Sequence, residues 1–140
     1  MRSVSEEHVD PIELIELGMR LYEAGDLARL STLVHEDAEI QMAYLHGELA
    51  RGPRALEDAL RAAAHSVHRP RMDGVVAVDD SAAILYGRVR YPVEGGGFGD
   101  RQAAWLNILK DGLMWRVRIY ADVAAARRAY AEEFLPQLQG

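Results

Sequence analysis

The chain has 140 residues, 49% of them hydrophobic, a net charge of −6 and no cysteine. That length supports one domain with a real core, and the acidic balance argues against a nucleic-acid partner, which requires a basic face. Without cysteine there are no disulfides and no thiolate chemistry. The N-terminus MRSVSEEHVD is polar and acidic and no apolar run approaches the length of a membrane span, so the expectation is a cytoplasmic protein with no membrane partner.

The first helix has a defined start: Asp10 as N-cap, Pro11 at the first helical position and Glu13 three residues after the cap. Ile12, Ile15, Met19 and Tyr22 then share one helical face. Gly25 ends the helix, and Asp26 caps a short second helix reaching Val34. Ala38 to Leu45 reads as a strand. Gly52-Pro53 opens a third helix whose buried stripe is Leu56, Ala59, Leu60 and Ala63. From Arg71 the period changes to two. Strands are expected at Met72–Val78, Ala82–Tyr91, Arg101–Lys110 and Leu113–Ala121, with the glycine-rich turn VEGGGFGD and an Asp111-Gly112 hairpin between the later ones. Asp122 caps a final helix that Pro136 is expected to stop. The pattern predicts an α+β fold: a cone in which a curved antiparallel sheet wraps around helices on one face, leaving a central pocket.

The segments LYEAGDLARLSTLVHEDAEIQ, RGPRALEDALRAA and KDGLMWRVRIYAD resemble the nuclear transport factor 2-like superfamily, and more closely its SnoaL-like branch, with a cystatin-like cone. The resemblance spans residues 12–130 of a single domain, 1–140. It implies a cofactor-independent enzyme that isomerises, cyclises or cleaves a largely apolar, carbonyl-bearing or anionic small molecule. The same superfamily includes domains that only bind, so a non-catalytic binding domain and a dimeric module with a vestigial pocket stand beside the enzyme reading.

The stretch YGRVRY decides much of the site. A strand sends Tyr86, Arg88 and Arg90 to one face and Gly87, Val89 and Tyr91 to the other. By pattern alone, Leu85 and Val89 make a sound core face and leave the arginines in water. The family register puts the arginines into the cone instead. It also matches the positions where relatives carry catalytic groups to Gly18, Ile40, Met42, Leu106 and Ile119, all inert here. The expected pocket is then lined by Ile40, Met42, Leu106, Val117 and Ile119, with Tyr86 and Arg90 as ligand contacts. Arg88 would stabilise an oxyanion, and Tyr44 and His46 are the candidate proton carriers.

His65 and His68 lie three apart but have no acidic or thiol neighbour in sequence to complete a metal site, so neither metal nor cofactor is expected. His35 before Asp37 suits a turn, and His8 a frayed tail. Gly95 to Gly97 suit a hairpin tip better than a phosphate loop. Trp105, Asn107, Arg116, Arg118 and Tyr120 take the outer parity. In the resembled family the outer sheet face often forms a dimer, and with Trp105, Arg118 and Tyr120 on that face the resemblance implies a homodimer through the sheet.

Overall fold

The computed structural model describes residues 9–42, 48–63 and 70–139. Helix α1 (Pro11–Glu23) is capped as its sequence requires, with the Asp10 side chain accepting from the Ile12 N–H at 2.9 Å. Helix α2 spans Leu27–Ser31, with Asp26 accepting from the Arg29 N–H. It is shorter than expected, and strand β1 (Val34–Gln41) begins earlier than the predicted Ala38. The bulge between Val34 and Glu39 explains the shift, because it lets His35 turn inward while breaking the alternation that marks a strand in sequence. Strand β2 (Leu49–Arg51) was not anticipated; three residues carry no period. Helix α3 (Gly52–Ala63) starts where predicted, but of its expected buried stripe Leu56 is buried, Ala59 and Leu60 are half-buried and Ala63 is exposed.

Four strands follow as an antiparallel meander: β3 (Pro70–Asp79), β4 (Ala82–Pro92), β5 (Phe98–Lys110) and β6 (Leu113–Tyr120). With β1 parallel to β6, they form one open, curved six-stranded sheet in the order β2-β1-β6-β5-β4-β3. The Gly95–Gly97 tract is a hairpin tip with all three residues at positive φ, and Asp111 at φ 55 begins the second turn.

Helices occupy both faces of the sheet, not one. On the concave face, α1, α2 and α3 close over Ala38, Ile40, Ala83 and Val117. On the convex face lies the C-terminal segment, α4 (Val123–Ala129), a π-helical turn (Tyr130–Phe134) and α5 (Leu135–Gln139). Its Ala126 and Tyr130 pack on Ala82, Ile84, Ala104, Leu106 and Ile108. Pro136 does not stop this helix. It falls at the second residue of α5, directly after the wider π turn, where the Leu135 N–H already reaches back to the Tyr130 carbonyl. Among the described residues, no helix is long and apolar enough to cross a membrane.

Candidate functional site

A cavity of about 390 Å³ opens between the concave face of the sheet and helices α1 and α3. This is within the range that accommodates a small molecule. Ile15, Met19 and Tyr22 reach it from α1, and Leu56 and Leu60 from α3. The sheet contributes Ile40 and Met42 from β1 and its end, Met72 from β3, and Leu85, Val89 and Tyr91 from β4. Ala103, Trp105 and Asn107 of β5 and Met114, Val117 and Ile119 of β6 complete the floor.

The strand register decides which side chains enter. Leu85 pairs with Trp105 and Trp105 with Ile119, so these three share the concave face. Tyr86 pairs with Ala104 and Ala104 with Tyr120, which places those on the convex face. Of the residues expected to line the pocket, Ile40, Met42, Val117 and Ile119 do so. Leu106 does not: it is completely buried on the opposite side, beneath the C-terminal helix.

Tyr86, Arg88 and Arg90 likewise leave the cavity to Leu85, Val89 and Tyr91. Tyr86 lies across Gly74 on the neighbouring strand, so closely that a Cβ at Gly74 would come within 2.5 Å of its hydroxyl. Arg88 and Arg90 are exposed, and Arg90 sits 5.6 Å from the Phe98 ring centroid. The physical reason is desolvation: the cavity wall offers no carboxylate among the described residues to compensate two buried guanidiniums. Tyr44 and His46, the expected proton carriers, lie outside the described residues, as do His8, His65 and His68.

The expected dimer face changes as well. Trp105 and Asn107 turn into the cavity, and Tyr120 packs with the convex cluster beside Val123 and Phe134. Arg118 braces the sheet, donating to the Glu39 carbonyl at 2.9 Å and to its carboxylate at 3.0 Å, while Arg116 donates to the Asp37 carbonyl at 3.0 Å. These contacts clip β1 to β6. Together with Arg51 they hold the Glu39 carboxyl below its usual range, the Arg51 hydrogen bond being the largest cause.

The polar groups that do face the cavity are few. Asn107 is only 4% exposed, and its amide nitrogen donates to the Trp105 carbonyl at 3.0 Å. The Gln41 side chain accepts from the Ile119 N–H at 3.0 Å, extending the β1–β6 ladder by one bond. Arg101 is exposed at the rim, with its guanidinium 4.9 Å from the centroid of the Tyr91 ring. Sequence reasoning missed Asn107 and Arg101 by assigning β5 the wrong parity. The strand itself carried no usable signal, because Ala103 and Ala104 put an equally small side chain on each face.

His35 takes the turn role its sequence position suggested. It is 7% exposed; its Nδ1 accepts from the Asp37 N–H at 3.0 Å and its Nε2 lies 3.3 Å from Asp111 of the β5–β6 turn. Asp122 is the N-cap of α4, accepting from the Ala125 N–H at 2.8 Å. Among the described residues no group of three or more His, Asp or Glu side chains is placed to hold a metal ion.

An open curved sheet with helices inside its bend and a small-molecule-sized cavity between them defines a nuclear transport factor 2-like, cystatin-type fold. The family model described as the SnoaL-like domain matches residues 16–117, and the chain belongs to that family. A nuclear transport factor 2-like protein from Burkholderia thailandensis superposes with a TM-score of 0.66 at 13% identity, over 85% of this chain and 97% of its own. A Pseudomonas putida protein provisionally named a polyketide cyclase gives 0.63 at 20% identity, over 83% and 94%. A Mycobacterium tuberculosis protein in complex with estradiol-17β-hemisuccinate gives 0.59 at 14% identity, over 81% and 95%. No functionally curated protein matches the sequence.

Proposed function

We propose that the protein binds a largely apolar small molecule in the concave cavity, held by shape and by one buried hydrogen-bonding group. The observation that carries this reading is the wall. Eight elements contribute apolar side chains to it, and Asn107 is the buried polar residue of β5 within it. Four of the chain's five methionines, Met19, Met42, Met72 and Met114, line the cavity. Thioether side chains are unbranched and polarisable, so they adapt to a ring system without a large strain penalty. The amide oxygen of Asn107 has no partner among the described residues, and no buried polar side-chain atom is sealed without one. That oxygen is therefore open to a ligand hydroxyl, and rotation of the amide would offer the nitrogen to a carbonyl.

The four methionines also provide the test. In protein labelled with ¹³C at the methionine methyls and assigned by Met→Leu substitution, a panel of neutral polycyclic phenols and ketones should shift the Met19, Met42, Met72 and Met114 signals saturably. Four signals that stay in place throughout the panel would refute binding in this cavity.

Family membership, and a neighbour named for cyclisation, favour a second reading: catalysis of an isomerisation, cyclisation or lyase step. Its proton carriers would be Tyr44 and His46, which follow closely after Met42 of the wall. Turnover of a bound panel member, lost in His46→Ala and Tyr44→Phe while binding persists, supports catalysis. Quantitative recovery of every ligand unchanged leaves a binding domain.

A further inference from the structure

The cavity has one cation in its lining among the described residues, Arg101, and that residue is placed to read an anion. Arg101 and Asn107 both project from the concave face of β5, since Arg101 pairs with Val89 and Asn107 with Ala83. They are six residues apart on one strand, which at a strand rise of about 3.3 Å separates their backbones by roughly 20 Å. Asn107 is at the buried end and Arg101 at the solvent end. The space between them is walled by Ala103, Trp105, Val89 and Tyr91.

The guanidinium of Arg101 is not engaged by an acid. Arg51, Arg61, Arg71, Arg116 and Arg118 each pair with a carboxylate. Among the described residues Arg101 has no such partner, and its recorded contact is the face of Tyr91, itself part of the wall. An aromatic ring attracts the flat face of a guanidinium and leaves the in-plane N–H donors free. Those donors form a fork that matches the two oxygens of a carboxylate. The stacking also limits the side-chain freedom that binding would otherwise have to remove.

We infer that the ligand class is an elongated anionic amphiphile: a neutral hydrogen-bonding group at Asn107, an apolar body along β5, and a carboxylate at Arg101 on the rim. This rests on the proposed use of the cavity and adds the ligand's length, polarity and charge. A short, uncharged ligand would leave Arg101 unused. A short acid could meet Arg101 at the rim but would not reach Asn107 as well.

The experiment compares two probes that share one body, estradiol and estradiol-17β-hemisuccinate, by calorimetric titration at low salt. Wild type should bind the hemisuccinate about tenfold or more tightly than estradiol, the range of a charge-assisted hydrogen-bonded pair. Arg101→Gln should abolish that preference, bringing the two probes to equal affinity. Arg90→Gln, on the opposite face of the sheet, should preserve the preference. Asn107→Leu should weaken both probes alike. Equal affinities in wild type, a preference that survives Arg101→Gln, or an equal loss in Arg90→Gln would each overturn the anionic assignment while leaving the cavity reading intact. Failure of both probes, together with unmoved methionine signals for the neutral panel, would instead overturn the cavity reading and this inference with it.

Discussion

The two faces of the central sheet are built from the same strands and differ in how their apolar surface is used. On the convex face, Ala82, Ile84, Ala104, Leu106 and Ile108 have no solvent exposure at all, and the C-terminal helix seals them through its equally buried Ala126. On the concave face, Leu85, Val89 and Trp105 remain only partly buried, because helices α1 and α3 stand off from the sheet around the cavity. Close packing on one side lets the other side keep open volume, which by itself contributes nothing to stability. The convex face is thus expected to carry the fold and the concave face the ligand.

The largest effect should come from breaking the sealed side. Leu106→Ala removes a fully buried side chain under the C-terminal helix and should lower stability by about 2–5 kcal/mol. In the molecules that remain folded, the methionine reporters of the cavity should respond to ligand as in wild type. Equilibrium denaturation and methyl spectra measure the two halves of that statement. A loss below about 1 kcal/mol would mean that the C-terminal helix does not seal the face.

A subtler break lies in the polar tie that holds the same helix. The Tyr130 hydroxyl donates to an Asp79 carboxylate oxygen at 2.6 Å. Burial, and then this hydrogen bond, push the Tyr130 phenol well above its ordinary value. A phenol raised in the folded state contributes stability that is fully present below the unfolded value near pH 10 and is lost as pH rises through the folded value. Tyr130→Phe should therefore lose about 1.5 kcal/mol at neutral pH, typical of a hydrogen bond to a charged group. Its alkaline limb should also be flatter than that of wild type. Identical alkaline limbs would show that another group governs unfolding at high pH.

The two faces also explain what the sequence disclosed. Asp10, Asp26 and Asp122 announced their helices, because an N-cap is a local interaction between a side chain and N–H groups two or three residues on. The turns at Asp79-Asp80-Ser81 and Asp111-Gly112 were equally local. Strand parity was not. In AAILYG, both faces are covered, one by α1 and one by the C-terminal helix, so the alternation that reveals an inner face is erased. The family register then sent Arg88 and Leu106 the wrong way, whereas the core face made by Leu85 and Val89 pointed the arginines correctly to water. The apolar stripe Val123, Ala126, Tyr130 and Phe134 on the last helix held the missing information. Such a stripe needs an apolar partner face, and Ile84, Leu106 and Ile108 supply it.

The concave face yields the reverse outcome, a large effect on ligand with little on stability. Ala103 points into the cavity between Arg101 and Trp105. Ala103→Leu adds apolar volume where there is space, so stability should stay within about 1 kcal/mol of wild type, while binding of a polycyclic ligand should fall below detection. If thermal denaturation shows a large loss, the cavity wall is packed as tightly as the convex side and the contrast between the faces fails. Unaltered ligand affinity would instead move the ligand away from β5.

The smallest effect belongs to a carboxylate that braces the sheet at the β1–β6 seam. Glu39 meets Arg51, Arg116 and Arg118 at the β1–β6 seam, and its carboxyl is held below the usual value. A depressed carboxyl contributes stability that is present above its unfolded value, near pH 4.3, and is lost as pH falls through the folded value. Glu39→Gln keeps an acceptor for Arg118 but removes the charge. It should therefore cost only about 0.2–1 kcal/mol at neutral pH, the range of ion pairs that solvent reaches, and flatten the acid limb below about pH 4.3 by the same small amount. The acid limb of wild type should also flatten in high salt, since these groups are reached by solvent. A Glu39→Gln protein that unfolds as readily in acid as wild type would assign that limb to other carboxylates. A large loss at neutral pH would make the seam a third structural element, equal to the sealed face, and the division of labour between the two faces would need revision.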